Sequence, residues 1–216
     1  MGVTYAKCKG GRKEHEFLII RIRHVNEDHT SCDNYLVVER GADLRIEGQS
    51  SGTDDVAQGS KILSSQSVPA KDQVTISKDR KYHTIVERQG SYRILAEMHF
   101  DNPAAFKIAQ LAVLFQVVNR HAPEYHIIQH QCFWFAYSIW AIITKATSRT
   151  GRNSEWETYR GVYQGKLVLP EIHFSDVEAE FAVAWQNAQR QAQEQAPHQA
   201  AYDNRVCIHV IDPSLI

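Results

Sequence analysis

The chain lacks an excess of charge of either sign: 24 Lys and Arg stand against 25 Asp and Glu, a formal net charge of -1. That balance excludes a general electrostatic pull towards nucleic acid or anionic membranes. Long apolar runs are missing too. The longest, around residues 133–143, is broken by Tyr137 and Ser138 and is too short to cross a bilayer. Cysteine is sparse and scattered: Cys8, Cys32, Cys132 and Cys207, with no CxxC pair. This spacing argues against a zinc ribbon. Residues 1–16 carry no apolar export segment, which argues against a disulfide framework. The expectation is a cytoplasmic protein whose thiols act singly. Gly2 suggests N-myristoylation, but Ala6 stands where that motif wants Ser or Thr.

What is present is ordinary for a globular protein, 43% hydrophobic and 23% charged, so a packed core is expected over the 216 residues. Eleven histidines is a high count. Histidine is the usual partner of a reactive thiol and a common metal ligand.

Strand patterns dominate residues 1–100. Residues 1–12 read as a basic, glycine-containing lead-in. Residues 16–22, EFLIIRI, alternate as a strand, followed by YLVVE at 35–39 and a return at 44–47, an antiparallel meander. Residues 48–59 are a polar loop. A short strand is expected at 73–77. YHTIVE at 82–87 reads as another strand, turned at Gln89-Gly90 and returning over 92–98. VVERGADLRI and IVERQGSYRI look alike, with too few copies for a solenoid.

Helices dominate 101–200. Asp101 or Asn102 can cap and Pro103 suits a first helical position. Phe106, Ala109, Gln110, Val113, Leu114, Val117 and Val118 follow at helical spacing. A short extended piece, 125–128, leads through Gln129-His130-Gln131 into an aromatic helix beginning at Cys132. Residues 147–154 read as a polar loop. A last helix runs over 178–195, polar nearly all round in its second half, and offers itself to solvent or to a second copy. RVCIHVI, 205–211, reads as a strand closing residues 201–216. The layout is a single α+β domain, 1–216, an antiparallel sheet with helices packed on one side.

Cys132 concentrates the chemistry. A cysteine in the first turn of a helix meets free backbone N–H groups and the positive end of the helix dipole, which favour a thiolate. The same N–H groups can donate to an oxyanion. Against this stands the ordinary alternative, a small buried core residue. A nucleophile needs a base within reach and a group to orient that base. His15 opens one strand and Glu39 closes its neighbour, so antiparallel pairing brings them together. His83 is the alternative base, should the other hairpin lie beside the helix. His121, His126 and His130 with Cys132 suggest a metal site, but HIIQH lacks the glutamate of HExxH and reads as extended, so no metal is expected. Trp134, Phe135, Tyr137 and Trp140 read as core, since no basic patch accompanies them for nucleic acid.

These residues resemble a family. His15-x-x-Leu-Ile-Ile, then Leu36-Val37-Val38-Glu39, then the Tyr125-led run into Gln131-Cys132-Phe133-Trp134-Phe135 is similar to the circularly permuted papain-like superfamily. Its members include NlpC/P60-related enzymes, lecithin:retinol acyltransferase-like proteins and PPPDE-type isopeptidases, in which histidine precedes cysteine. The last piece is similar to their Y-x-L-x-x-N-C-x-x-F pattern. Gln131 stands where asparagine is common, and Glu39 where acyltransferase members often carry a second histidine. The likeness covers roughly two-thirds of the chain and leaves out 147–216. The chain also resembles proteins of mushroom-forming fungi, a likeness that implies no activity.

The resemblance implies a permuted papain-like fold with Cys132 as nucleophile, His15 as base and Glu39 as orienting acid. The backbone N–H of Cys132, with Gln131, would form the oxyanion hole. It implies a cysteine hydrolase or acyltransferase without cofactor, acting on a peptide, protein-conjugate or small acyl substrate through an acyl-enzyme. The alternative is a non-catalytic binding or oligomerising α+β module with Cys132 buried. Neither reading calls for nucleic acid or stable membrane insertion. A homo-oligomer through the last helix fits both.

Overall fold

A computed structural model describes residues 1–8, 14–25, 30–43, 68–100, 106–126, 131–147, 152–163, 166–167 and 174–208. The strands are β1 (Gly2–Cys8), β2 (Glu16–Val25), β3 (Ser31–Ala42), β4 (Val68–Ile76), β5 (Tyr92–His99), β6 (Glu124–Tyr125), β7 (Arg152–Asn153), β8 (Val162–Tyr163) and β9 (Lys166–Leu167). The helices are α1 (Tyr82–Val86), α2 (Ile108–His121), α3 (Cys132–Ala146) and α4 (Phe174–Ile208). Seven strands form one sheet in the order β6-β4-β3-β2-β1-β5-β7, and β8 pairs with β9 apart from it. Every pairing is antiparallel. The α+β class expected from the sequence is what forms.

Alternation in β2 sends Leu18 and Ile20 to one face, where they join Val3, Tyr5, Leu36 and Val38 in the main core. Helices α2, α3 and α4 cover this face through Leu114 and Val118, Trp134 and Ile139, and Val177 and Phe181. Each such side chain contributes roughly 1.5–3 kcal/mol on burial. Helix α3 is buried nearly all round, so its first turn is held firmly against the sheet. Trp134, Phe135 and Trp140 are core residues, as their setting suggested.

Helices do not keep to one side. Phe17, Ile19 and Val37 point to the second face and pack with Ile85 and Val86 of α1. That corrects the one-sided layout, and with it the reading of 82–87 as a strand. The Asp79 carboxylate accepts from the Lys81 amide (3.1 Å) and the Thr84 hydroxyl (2.7 Å), which gathers one helical turn despite its β-branched residues. These bonds, led by the one from Thr84, hold the Asp79 carboxyl down at about 2. A 3₁₀ turn, Glu87–Gln89, follows and ends at Gly90, whose φ of 69° suits glycine.

The opening lead-in proves to be β1, an interior strand between β2 and β5. An irregularity between Tyr5 and Ala6 buries both neighbours and breaks the alternation by which a strand is read. The closing strand is also corrected: residues 205–208 end α4. Helix propagation gains a bond for each residue fixed, and no described strand pairs with this segment. The expected strand at 73–77 forms within β4 and the one at 92–98 within β5. The polar stretch 147–154 contributes β7. Expectations for 44–47, 48–59, the capping residues 101–103 and 127–130 fall outside the described residues.

Candidate active site

One end of the sheet gathers the C-terminal end of β1, the N-terminal end of β2, the C-terminal end of β3 and the approach to β5. The β2–β3 register pairs Leu18 with Val38. Carried one step further, it sets Glu39 opposite Phe17 and diagonal to His15, within reach of long side chains. His15 Nε2 and Glu39 Oε2 are 2.9 Å apart, each side chain a little over a fifth exposed. The imidazole lies parallel to the Phe17 ring at 6.1 Å, and Phe17 meets Tyr92 edge-on at 5.9 Å.

The backbone beneath His15 is anchored by its neighbour. Glu16 is fully buried, accepts from the Tyr5 hydroxyl, and takes the Gly161 amide at 2.7 Å. Burial pushes its carboxyl above the usual range, against the Tyr5 bond and the Lys7 charge. Lys7 Nζ lies 3.6 Å from Glu16, donates to the Tyr159 (3.1 Å) and Val162 carbonyls, and sits 4.9 Å from the centre of the Phe133 ring. This buried cluster joins the start of β2, the end of β1 and the first turn of α3.

That first turn carries Cys132. Gln131, the residue before the helix, is extended (φ −88°, ψ −175°) and 5% exposed, and its carbonyl accepts the Phe135 amide at 3.0 Å. Gln131 thus immediately precedes Cys132 at the start of α3. Behind the thiol, Arg40 lies with its guanidinium carbon 5.3 Å from the centre of the Trp134 ring and 4.9 Å from that of Phe135. It binds Asp72 through two 2.6 Å contacts. These fix the strand of Glu39 to the helix of Cys132.

Cys132 lies close enough to His15 to influence its titration. Burial pushes the imidazole down, but hydrogen bonds to Cys132 and Glu39, with their negative charge, overcome it and lift His15 to about 10. Glu39 is held below the usual carboxylate range, chiefly by the His15 hydrogen bond, against burial. An imidazole set between a carboxylate and a sulfur can hold a proton and release it to a group at the thiol.

Of the three residues singled out from the sequence, His15 and Glu39 meet, and Cys132 influences the His15 titration. His83, the alternative base, is exposed on α1, and His15 takes its place at the sulfur. His121 bonds Glu180 at 3.0 Å and stacks on Trp134, while His130 lies outside the described residues. Among the described residues no three His, Cys, Asp or Glu side chains converge as a metal site. A groove of about 840 Å³ between α2 and α4, lined by Val113, Arg120, Glu180 and Val183 among others, includes none of the three.

Two neighbours escaped sequence reasoning. Gln89 Nε2 donates to Glu39 Oε1 at 3.3 Å, leaving Oε2 for His15. Cys8 bonds through its amide to the His15 carbonyl at 2.9 Å, and its thiol meets the Gln89 carbonyl at 3.5 Å. The register of β1, which the sequence hid, brings Cys8 into view, and the helical turns at 82–89 bring in Gln89. Comparison with protein-family models, curated proteins and solved structures finds no match. Among the described residues no helix is long and apolar enough to cross a membrane.

Proposed function

We propose that this chain is a cysteine-dependent hydrolase or acyltransferase with a permuted papain-like arrangement of its sheet and nucleophile helix. The observation that carries the reading is the His15–Glu39 pair at 2.9 Å, with Cys132, in the first turn of α3, among the groups that raise the His15 pKa. At rest His15 carries the proton beside the Cys132 sulfur. The thiolate attacks an acyl carbonyl, and the Cys132 amide, with Gln131 beside it, donates to the developing oxyanion. The imidazolium then protonates the leaving amine, alcohol or thiol. Neutral His15 takes a proton from water or another acceptor, which resolves the acyl-enzyme. Glu39 keeps the ring oriented throughout. Amides, isopeptides, thioesters and esters all suit this chemistry.

A second reading rests on one number. Cys132 is 4% exposed, which favours a binding or oligomerising module whose thiol is core. Alkylation separates the two. On the first reading iodoacetamide modifies Cys132 about tenfold faster than Cys8, Cys32 and Cys207 near neutral pH, and His15→Ala removes the advantage. A Cys132 no faster than the others leaves the second reading standing. A panel of activated esters and thioesters, with mass detection of an adduct on Cys132, then shows which acyl groups are accepted.

A further inference from the structure

Cys8 is a titratable side chain beside His15 that the acyl-transfer scheme leaves unused. It is half-buried and faces the same side of the sheet as Phe17 and Val37. Its amide bonds the His15 carbonyl at 2.9 Å, one step beyond the Lys7–Glu16 pair. Residues opposite one another on antiparallel strands point to the same face, with Cβ atoms about 4.5–5.5 Å apart. Cys8 therefore approaches the imidazole from the neighbouring strand, and the first turn of α3 that carries Cys132 reaches the same end of β1, where the Phe133 ring centre lies 4.9 Å from Lys7 Nζ. The Cys8 thiol is held at its other side by the Gln89 carbonyl at 3.5 Å. These groups do not serve as a metal site: none of three or more ligands converges among the described residues.

We propose that Cys8 is the resolving thiol of this site, and that a hydroperoxide joins it to Cys132 in a reversible disulfide that switches the nucleophile off. The inference rests on Cys132 being the thiolate of the proposed enzyme. The Cys132 thiolate attacks the peroxide, breaking O–O. Its sulfur is oxidised by two electrons to a sulfenic acid, and the departing hydroxide or alkoxide takes a proton from imidazolium His15. Cys8 sulfur then attacks the Cys132 sulfur, the S–O bond breaks, and hydroxide leaves with the Cys8 proton as water. Two thiols and one hydroperoxide become a disulfide, water and water or alcohol. An external dithiol reverses the step.

The order is built into the charges. Burial, then the negative charges of Glu39 and Cys132, push the Cys8 thiol up, so Cys8 stays protonated while Cys132 meets the oxidant. Turning Cys132 into a neutral sulfenic acid removes one of those charges. Cys8 then ionises more readily at the moment its attack is needed.

The test uses the full chain, reduced, as wild type, Cys8→Ser and Cys8→Ala, with unfolding midpoints measured first to show that each folds. Each is treated with a several-fold molar excess of hydrogen peroxide and mapped under non-reducing conditions. The expected wild-type product is a Cys8–Cys132 linked peptide, with alkylation of Cys132 lost and then restored by dithiothreitol. In both variants Cys132 goes on to sulfinic acid, which dithiothreitol does not reverse. A wild-type Cys132 that reaches sulfinic acid as fast as in the variants, or pairs with Cys32 or Cys207, overturns the inference and leaves the enzyme reading intact. A Cys132 inert to both peroxide and iodoacetamide overturns both.

Discussion

Glu39 stands on β3 and His15 immediately precedes the neighbouring antiparallel β2, and their side chains meet at 2.9 Å because the register offsets them diagonally across one face. Strand geometry sets this distance, so the carboxylate is in place before any ligand arrives.

Replacing Glu39 with Gln keeps the shape and removes the charge. The His15 titration midpoint, read by NMR of the imidazole, falls from about 10 towards its ordinary 6.5. A raised folded-state value means that proton binding favours the fold. His15's contribution is full below 6.5 and is lost as pH rises through about 10. The wild-type urea midpoint therefore declines across that window, and Glu39→Gln declines less. A titration unchanged in the variant counts against the pairing.

His15→Ala removes the proton carrier altogether. Acylation of Cys132 by an activated ester is expected to slow about 10²–10⁴-fold. Circular dichroism should stay native, since His15 precedes β2 and is not part of the core.

Gln89 tests how finely the carboxylate is held. Losing one neutral hydrogen bond is worth about 0.5–1.5 kcal/mol, so Gln89→Ala should slow Cys132 alkylation only a few-fold. Gln89→Glu sets a second carboxylate against Glu39 Oε1 and resists its ionisation. The acid limb of the pH–rate profile then moves to higher pH, a change that simple loosening of the turn does not produce.

Arg40 joins the strand of Glu39 to the helix of Cys132 and is fully buried. Arg40→Ala leaves Asp72 without its cation and is expected to cost about 3–5 kcal/mol, measured as a fall in urea midpoint.

Tyr5→Phe removes the hydroxyl from buried Glu16. Glu16 is already raised by burial, so its ionisation opposes folding increasingly as pH climbs from its ordinary 4.5 through its folded value. Losing a donor raises it further. The deficit of the variant should grow with pH to about 1–3 kcal/mol in paired urea titrations.

Long, cleanly alternating or strongly apolar segments could be read from the sequence. EFLIIRI, YLVVE and the aromatic helix each carry one dominant pattern, and these three place Glu39, His15 and Cys132. Where two forces compete, local reading failed. VVERGADLRI and IVERQGSYRI share half of their letters, yet the first is strand through Ala42 while the second is α1, a 3₁₀ turn and the start of β5. Their difference comes from context: β3 lies between two partner strands, whereas Asp79 starts a helical turn that Ile85 and Val86 seat on the second face. Strand β1 hid behind its irregularity at Tyr5 and Ala6, and so did the place of Cys8, while Gln89 was hidden by the helical turns that replaced the expected strand.

The position of β1 also dictates an order of assembly. Its hairpin with β2 closes locally, which puts His15 on its strand early. Its other edge pairs Gly2 with His99 and Cys8 with Tyr92, so it stays open until β5 has been synthesised. Closing so long a loop is slow and dominates the folding rate. A ribosome-bound chain halted before β5 would therefore display an unpaired strand edge, the kind of surface that recruits neighbouring chains.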